Sequence, residues 1–206
     1  MIPNIIIDNF FADPDKVKDY GLSLEYKEND SNYPGTRALF DNDNLRQGIE
    51  EKILSVLFDF KQEKIEWDTN LAFQKVSADY KGGWIHQDNQ SIITCVIYLT
   101  PTAQKSEGTT IYRPKTLPLK INDDIRTQSF KNGYSSEEEE KQRIAYNNQF
   151  EPVLTVDNIY NRLFMFAGNQ WHGVPEYKSD RLTLIYFVHG LNCKSLPIMR
   201  KDEYQI

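Results

Sequence analysis

The stretch KGGWIHQDNQSIITCVIYLT, residues 81–100, joins a polar segment to a strongly apolar run. The run is short, rich in β-branched side chains and bounded by turn-forming residues, which is typical of a buried β-strand. His86 and Asp88 stand one residue apart just before it. In an extended segment, residues i and i+2 face the same side. The stretch therefore predicts a β core with an imidazole and a carboxylate aimed at one point.

Further segments of the same type follow the helical N-terminal third of the chain. They are NLAFQKVSA (70–78), TTIYRP (109–114), NRLFMFAG (161–168) and RLTLIYFVHG (181–190). This pattern predicts a mainly β fold with flanking helices, a cupin-like jelly roll or double-stranded β-helix. We expect one domain over residues 1–206, with helical support over about 1–65 and the jelly-roll core over about 66–195.

Three helices are predicted outside the core. Asp13 or Asp15 is placed to cap a helix that follows a short β-branched strand. Residues 45–60 carry apolar side chains at three- and four-residue spacing, which indicates an amphipathic helix. In the polar stretch 115–150, Ser135 or Ser136 is expected to cap a short helix whose glutamate run suits the helix dipole and faces solvent.

Composition narrows the function classes. The chain has 206 residues, a formal net charge of −6 and no basic cluster, so nucleic-acid binding has no support. The N-terminus lacks the pattern of a signal peptide, and no apolar window is long enough to span a membrane. Cys95 and Cys193 lie in apolar stretches and are expected to be buried thiols in a reducing compartment. These features favour a cytoplasmic protein.

A third ligand is needed to complete a metal site with His86 and Asp88, and the chain contains only three histidines. His172 follows the strand-like segment 161–168, and His189 ends the run 181–190. A β fold can bring either of them to the site. His189 is also readily explained as a strand-end residue that packs beside the core or is exposed.

Arg181 favours His172, which precedes it by nine residues. It begins an alternating run in which Thr183, Ile185 and Phe187 share its face. An arginine that points inward from a core strand is costly unless an anion meets it, and a ligand carboxylate would satisfy it. The Thr183 hydroxyl could add a hydrogen bond to that carboxylate. Two histidines, one carboxylate and open positions are typical of non-haem Fe(II) oxygenases.

The order of these residues resembles the Fe(II)- and 2-oxoglutarate-dependent dioxygenases over about residues 75–190. Segment 81–112 is most similar to the prolyl-4-hydroxylase-like branch, through the tyrosine-bearing strand TCVIYLTP and the turn EGTTIY. The resemblance implies that Fe(II) is bound by His86, Asp88 and His172, and that 2-oxoglutarate is bound by Arg181, Thr183 and Tyr98.

Two positions depart from the prolyl hydroxylase pattern. Glu107 stands where the first turn glycine would be, and Arg181 stands where animal prolyl hydroxylases have lysine. The second departure suggests a different subfamily and leaves the substrate open.

The implied activity is hydroxylation of a C–H bond with O2, releasing succinate and CO2, with ascorbate as reductant. A peptidyl residue, an amino acid or a small metabolite would be the substrate. The alternatives are a non-enzymatic metal-binding cupin-like module and a purely structural β-sandwich.

Two further groups of residues carry open interpretations. Tyr33 and Arg37, in NYPGTRALF, belong either to the substrate mouth or to a surface loop that leads into a strand. Trp84 and Trp171 either pack in the core or wall the metal site against water.

Overall fold

The structure, a computed structural model, describes residues 2–27, 33–119 and 136–194. Within these ranges the helices are α1 (Pro14–Ser23), α2 (Asp43–Leu54) and α3 (Glu137–Asn147). The strands are β1 (Ile5–Ile7), β2 (Thr36–Leu39), β3 (Glu66–Val76), β4 (Ile93–Tyr98), β5 (Thr109–Pro114), β6 (Phe150–Val156), β7 (Leu163–Ala167), β8 (Trp171–Gly173) and β9 (Arg181–Asn192).

The strands form two antiparallel sheets. The major sheet has the order β1-β7-β4-β9-β3-β2, and the minor sheet has the order β6-β5-β8. The N-terminal strands β1 and β2 occupy the two edges of the major sheet. The expected mainly β jelly-roll architecture with flanking helices is confirmed, because a large and a small sheet enclose a shared interior while helices cover the outside.

Alternation along the central strands directs two sets of side chains to opposite faces of the major sheet. On β4, Cys95 and Ile97 pack in the cluster that includes Ile53 and Leu54 of α2. Val96 and Tyr98 instead belong to the cluster shared with the minor sheet. The central strands are therefore buried on both faces, which explains why their sequences are continuous apolar runs.

The helix starts follow the expected capping chemistry. The Asp13 side chain accepts a hydrogen bond from the backbone N–H of Lys16, so Asp13 caps α1. Helix α2 starts at Asp43 with Asn42 as its cap and ends at Leu54, six residues before the predicted end. After Leu54 the backbone tightens into turns that bond three residues back, such as Val56 N–H to the Ile53 carbonyl at 3.2 Å.

Helix α3 bears out part of the interpretation of the acidic run. Ser136 caps it in a reciprocal capping box with Glu139. Glu137 and Glu138 are exposed, as expected, but Glu139 is buried because its carboxylate returns to the Ser136 N–H at 2.7 Å. The alternative cap Ser135, and residues 120–135 of the polar stretch, lie outside the described residues.

The remaining composition-based expectations concern membranes and thiols. Among the described residues, no helix is long and apolar enough to cross a membrane. Cys95 is buried as expected, whereas Cys193 is only half-buried near the end of the described chain, and neither forms a disulfide.

Candidate functional site

His86 and His172 are paired across two extended segments. The backbone N–H of each donates to the carbonyl of the other, at 2.9 and 2.8 Å, and the ring centroids are 4.3 Å apart. Nδ1 of His86 lies 2.8 Å from the Trp84 carbonyl, and Nδ1 of His172 lies 2.9 Å from the Gln170 carbonyl. Because a carbonyl oxygen can only accept, Nδ1 carries the proton of each neutral ring and Nε2 keeps its lone pair.

Asp88 faces both Nε2 atoms. Its Oδ1 lies 3.7 Å from Nε2 of His86, and its Oδ2 lies 3.4 Å from Nε2 of His172. One donor atom from each of the three residues lies within 4.8 Å of the other two. Within the described parts of the chain, no other cluster of three or more His, Cys, Asp or Glu side chains has this spacing.

The local structure differs from the extended strand that the sequence suggested. His86 forms only an isolated bridge with His172, and Asp88 lies in the loop before β4. The Asp88 N–H donates to the Gly168 carbonyl at 2.7 Å, and the Thr94 hydroxyl donates to Oδ2 of Asp88 at 2.8 Å. A Cβ at Gly168 would lie 2.2 Å from the Ser91 carbonyl oxygen, so this close approach requires glycine. Loop contacts, and not the alternation of side chains along a strand, therefore bring Asp88 beside the two histidines.

The charge state of Asp88 is set by its neighbours. Burial alone would raise the pKa of its carboxyl, but the hydrogen bond and charge of His172, the charge of His86 and the Thr94 hydroxyl hold that pKa well below its usual range. Asp88 is therefore a carboxylate, the form in which it can bind a metal.

Arg181 begins β9 and is buried, with 5% of its surface exposed. Its Nε has no hydrogen-bond partner among the described residues. Its guanidinium carbon lies 5.3 Å from the centroid of the Tyr98 ring and 6.0 Å from that of Tyr177. Buried donors are normally bonded, so an orphaned one on a cationic side chain marks a place where an anion would fit.

Thr183 and Tyr98 are paired across β9 and β4 and are both buried. The Tyr98 hydroxyl donates to Oγ1 of Thr109 at 2.9 Å. Burial raises the pKa of Tyr98 despite the nearby Arg181 charge, so the phenol stays protonated. The Tyr98 ring thus packs beside the Arg181 guanidinium, while the Tyr98 hydroxyl is hydrogen-bonded to Thr109.

One cavity of about 370 Å³ connects these groups. Its lining includes five of the six site residues predicted from sequence, namely His86, Asp88, His172, Arg181 and Thr183. The sixth, Tyr98, lies behind the wall and reaches it through Thr109. The volume is at the lower end of the roughly 300–1,000 Å³ typical of ligand pockets, so the cavity has room for a small ligand.

The remaining candidates divide between the cavity and the core. His189 is exposed and lines the cavity, but it is not one of the three clustered donors. Trp84 packs against Tyr146 at a centroid distance of 5.6 Å and also lines the cavity. Trp171 packs against Phe150 at 5.0 Å and does not line the cavity, which agrees with core packing.

Tyr33 and Arg37 also line this cavity. The Arg37 guanidinium carbon lies 3.5 Å from the centroid of the Tyr33 ring. The two interpretations of this stretch are compatible, because its turn leads into strand β2 and also borders the cavity, while residue 32 lies outside the described residues.

Helix α3 contributes a support that sequence reasoning missed. Asn147 donates to the Gly83 carbonyl at 2.9 Å and accepts from the Ile85 N–H at 3.1 Å. Arg143, which is ion-paired with Glu140, lies 3.4 Å from the same Gly83 carbonyl. These contacts fix the segment that leads into His86. A polar residue in the last turn of a predicted helix was the only available signal, and it does not say which segment the residue will meet.

Glu107 stands where the prolyl hydroxylase pattern has a turn glycine, and its carboxylate is held by hydrogen bonds. It is fully buried, and its carboxylate accepts hydrogen bonds from the N–H groups of Gln104, Lys178 and Ser179 and from the Ser179 hydroxyl. Burial would raise the pKa of Glu107, but these donors hold it below its ordinary value. The departure from the glycine pattern thus ties the turn before β5 to the loop that precedes Arg181.

Comparison with solved structures identifies the fold. A prolyl hydroxylase from Trichoplax adhaerens, in complex with a hypoxia inducible factor oxygen degradation domain peptide fragment, aligns with TM-score 0.55 and 13% identity over 98% of this chain and 87% of its own. HygX from Streptomyces hygroscopicus, with nickel, 2-oxoglutarate and hygromycin B bound, aligns with TM-score 0.53 and 11% identity over 89% and 82%.

A third solved structure belongs to the same group. It is an oxidoreductase of the 2OG-Fe(II) oxygenase family from Burkholderia pseudomallei, with TM-score 0.52 and 9% identity over 90% of this chain and 83% of its own. At such low identities the likeness establishes the double-stranded β-helix fold.

Comparison at the level of sequence gives a family and no named relative. No curated protein matches the chain significantly. A family model described as a family of unknown function, DUF6445, matches residues 2–175. Because that match spans most of the 206 residues, the chain belongs to DUF6445.

Proposed function

We propose that this protein is an Fe(II)- and 2-oxoglutarate-dependent dioxygenase that hydroxylates a C–H bond and releases succinate and CO2. The observation that carries the proposal is the meeting, in one cavity, of a three-residue metal donor set and a buried arginine with an orphaned Nε. Either feature alone has a structural explanation. Together they match the two binding requirements of the reaction, a divalent metal and a dicarboxylate.

The donor set fits iron. Two imidazole nitrogens and one carboxylate are the facial set used by non-haem Fe(II) oxygenases. Nδ1 of His86 and of His172 is engaged by a carbonyl, so Nε2 of each ring is the donor atom, and Asp88 supplies an anionic oxygen. The carbonyls and the Thr94 hydroxyl hold the rings and carboxylate in orientation, as the outer partners of metal ligands usually do.

Arg181 fits the second carboxylate of 2-oxoglutarate. Its planar guanidinium matches the geometry of a carboxylate and forms charge-assisted hydrogen bonds with it. Thr183 adds a hydroxyl from the same face of β9, and Tyr98 supports the arginine from the neighbouring strand. The structure of HygX with nickel and 2-oxoglutarate bound agrees with such a pair of ligands.

Apolar side chains cover one side of the donor set. The Phe166 ring packs 4.7 Å from the His172 ring, and Val96, Ile185 and Trp84 form other parts of the wall. When bound, Fe(II) with O2 and 2-oxoglutarate supplies the oxidising chemistry. The protein holds the metal and the cosubstrate in position, and the apolar side chains cover the His172 side of the site. The substrate is a small molecule or peptide that enters past the mouth.

Anaerobic titration of the full chain with Fe(II) and then 2-oxoglutarate tests the proposal. We expect a weak visible metal-to-ligand charge-transfer absorption that Zn(II) does not give. Admission of O2 with ascorbate should then release succinate, which uncoupled turnover produces even without the substrate. Absence of both the absorption and the succinate across a broad substrate panel would contradict the proposal. Metal binding without succinate would favour a non-enzymatic binding module.

The three histidines provide a matched control. His172→Ala should abolish the absorption, because it removes a donor from the cluster. His189→Ala removes the histidine that lines the same cavity outside the cluster, and it should leave the absorption intact. Equal effects of the two substitutions would argue against the assigned donor set.

A further inference from the structure

Arg37 lies on the cavity face of the major sheet, two strands away from the residues proposed for 2-oxoglutarate. It pairs with Gln74 of β3, Gln74 pairs with Thr183 of β9, and Thr183 pairs with Tyr98 of β4. Directly paired residues on antiparallel strands share a face. Arg37 therefore belongs to the same transverse row as Thr183, but at the edge of the sheet, where the cavity lining reaches Tyr33.

The turn that carries Arg37 is fixed against the sheet. Gly35 has φ 74°, and a Cβ there would lie 1.9 Å from the Lys75 carbonyl oxygen, so the turn packs directly on β3. The Gln74 side chain donates to the Pro34 carbonyl at 2.6 Å. The guanidinium is then held between two aromatic rings, at 3.5 Å from the Tyr33 centroid and 5.5 Å from that of Phe187. The position of Arg37 is thus set by its surroundings and is not that of a solvated surface arginine.

No described side chain forms an ion pair with Arg37. Burial lowers the pKa of Arg37 to about 10, so the side chain still carries its charge at neutral pH. Its Nε is buried and lacks a hydrogen-bond partner among the described residues. Asp88 attracts it electrostatically, yet none of the ion pairs within the described ranges involves Arg37. Such a donor is costly to keep unless a ligand engages it.

The balance of charges in the cavity indicates the sign of the charge on that ligand. Among the residues that the structure describes, and apart from histidines, the charged residues that line the cavity are Arg37, Asp88 and Arg181. On the proposed function, the divalent metal and Arg181 are balanced by Asp88 and the two carboxylates of 2-oxoglutarate. Within the described part of the chain, Arg37 is then left as one uncompensated positive charge, although the net charge of the whole chain is −6.

We infer that Arg37 binds an oxyanion of the primary substrate, so that the substrate is a small organic acid or phosphate ester. This inference rests on the proposed function and deepens it. Planar guanidinium suits both carboxylate and phosphate, and the Tyr33 and Phe187 rings provide an apolar surface for the part of the substrate that adjoins the anion. The small volume of the cavity favours such a molecule over a folded protein surface.

Binding of three matched probes tests the inference without turnover. The full chain, loaded with Zn(II) and saturating 2-oxoglutarate so that Arg181 is engaged, is titrated with hexanoate, hexyl phosphate and hexanamide by saturation-transfer NMR. We expect one of the two anions to bind at least about tenfold more tightly than the amide, as charge-assisted hydrogen bonds imply. Whichever anion binds more tightly identifies the class of oxyanion. Equal binding of all three probes, or no binding of either anion, would overturn the inference.

Variants assign the effect to Arg37. Arg37→Gln should remove the preference for the anion, and Arg37→Lys, which keeps the charge but loses the planar fork, should be intermediate. Arg113→Gln, at an exposed arginine paired with Glu151 outside the cavity, should bind all probes as wild type does. An unchanged preference in Arg37→Gln would contradict the assignment, provided that its thermal unfolding and 2-oxoglutarate affinity match wild type. If they do not, the comparison of Arg37→Lys with wild type decides.

The two proposals can fail separately. If wild-type protein does not bind Zn(II) and 2-oxoglutarate, the proposed function fails. The same probe titrations on metal-free wild type and Arg37→Gln then still measure whether Arg37 selects an anion in this cavity.

Discussion

Glu107 and Asp88 are both carboxylates largely withdrawn from solvent, and the chain surrounds them in opposite ways. Glu107 is surrounded by N–H and O–H donors from Gln104, Lys178 and Ser179, which satisfy it completely within the chain. Asp88 receives one hydroxyl hydrogen bond, from Thr94, and otherwise faces two histidine nitrogens at 3.4 and 3.7 Å. A protonated ring attracts Asp88 through its Nε2–H, whereas a neutral ring with its proton on Nδ1 turns a lone pair toward the carboxylate.

On the proposed function, the difference separates a carboxylate that stabilises the fold from one arranged for a ligand. Buried charges are normally compensated, and Glu107 obeys that rule with backbone and side-chain donors. The cluster at Asp88 gathers three electron-pair donors, which attract one another only when a positive charge joins them, either a proton on a ring nitrogen or a metal ion. Arg181 is the complement of this cluster, a buried cation that lacks an anion among the described residues.

The largest expected effect comes from Asp88→Ala. It should weaken divalent metal binding by more than about hundredfold, since even a residue that only supports a ligand commonly contributes about 10–100-fold. The free energy of unfolding of the metal-free protein should fall by no more than about 1–3 kcal/mol, because the buried Thr94 hydroxyl loses its acceptor. Calorimetric titration with Zn(II) and urea unfolding measure the two quantities. If the variant unfolds, Asp88 stabilises the fold as Glu107 does, and the proposed metal-binding role is contradicted.

Arg181→Leu should have the next largest effect. The variant leaves the distal carboxylate of 2-oxoglutarate buried without a partner, so its affinity should fall by about 2–5 kcal/mol. Metal affinity should survive, because Arg181 is not among the donors, and Arg181→Lys should be intermediate. Anaerobic titration of the Fe(II) protein with 2-oxoglutarate measures the change, with Arg113→Leu as an exposed control. Wild-type affinity in Arg181→Leu would show that the orphaned arginine does not serve this cosubstrate.

Glu107→Gln should act on stability and leave metal binding unchanged. Replacing the carboxylate weakens several charge-assisted hydrogen bonds, and we expect a loss of about 1–3 kcal/mol at neutral pH. The pKa of Glu107 is lower in the fold than its ordinary value of 4.5, so its contribution is present above that value. It is lost as the pH falls through the folded-state pKa, and the unfolding free energies of variant and wild type should converge there. Urea unfolding at a series of pH values measures this, and parallel curves would contradict it.

The sequence predicts the inward face of β9 well, and the reason is physical. Side chains two residues apart in a strand point to the same face. Arg181, Thr183, Ile185 and Phe187 therefore lie together on the cavity face of β9. The choice of a third member for the proposed metal site is also limited by the sequence alone, because a chain with only three histidines leaves two candidates beside His86.

Features that depend on contacts between distant segments could not be predicted from the sequence. The Asp88 loop is set by Gly168, and the segment before His86 is held by Asn147 of α3, neither of which is marked by a local period. Helix α2 ends at Leu54 although apolar residues continue, since Leu57 and Phe58 reach the core from turns as well as they would from a helix. Local patterns specify which side chains are buried, whereas the loops and helix ends depend on what they pack against.

Thr94→Val should give the smallest effect on metal affinity, and it tests the contrast between Asp88 and Glu107 most directly. The substitution keeps the shape of the side chain but removes the hydroxyl that donates to Oδ2 of Asp88 at 2.8 Å. Without that bond the carboxylate is less firmly oriented toward the histidine nitrogens, so Zn(II) affinity should fall by about tenfold, the lower end of the range for supporting partners. Thr69→Val is the matched control, because its hydroxyl donates at 2.9 Å to Glu50, another buried carboxylate, which lies outside the cavity lining. That variant should lose unfolding free energy and keep Zn(II) affinity. If the two valine variants change metal affinity equally, the Thr94 bond does not orient a ligand, and Asp88 and Glu107 would differ less than their surroundings indicate.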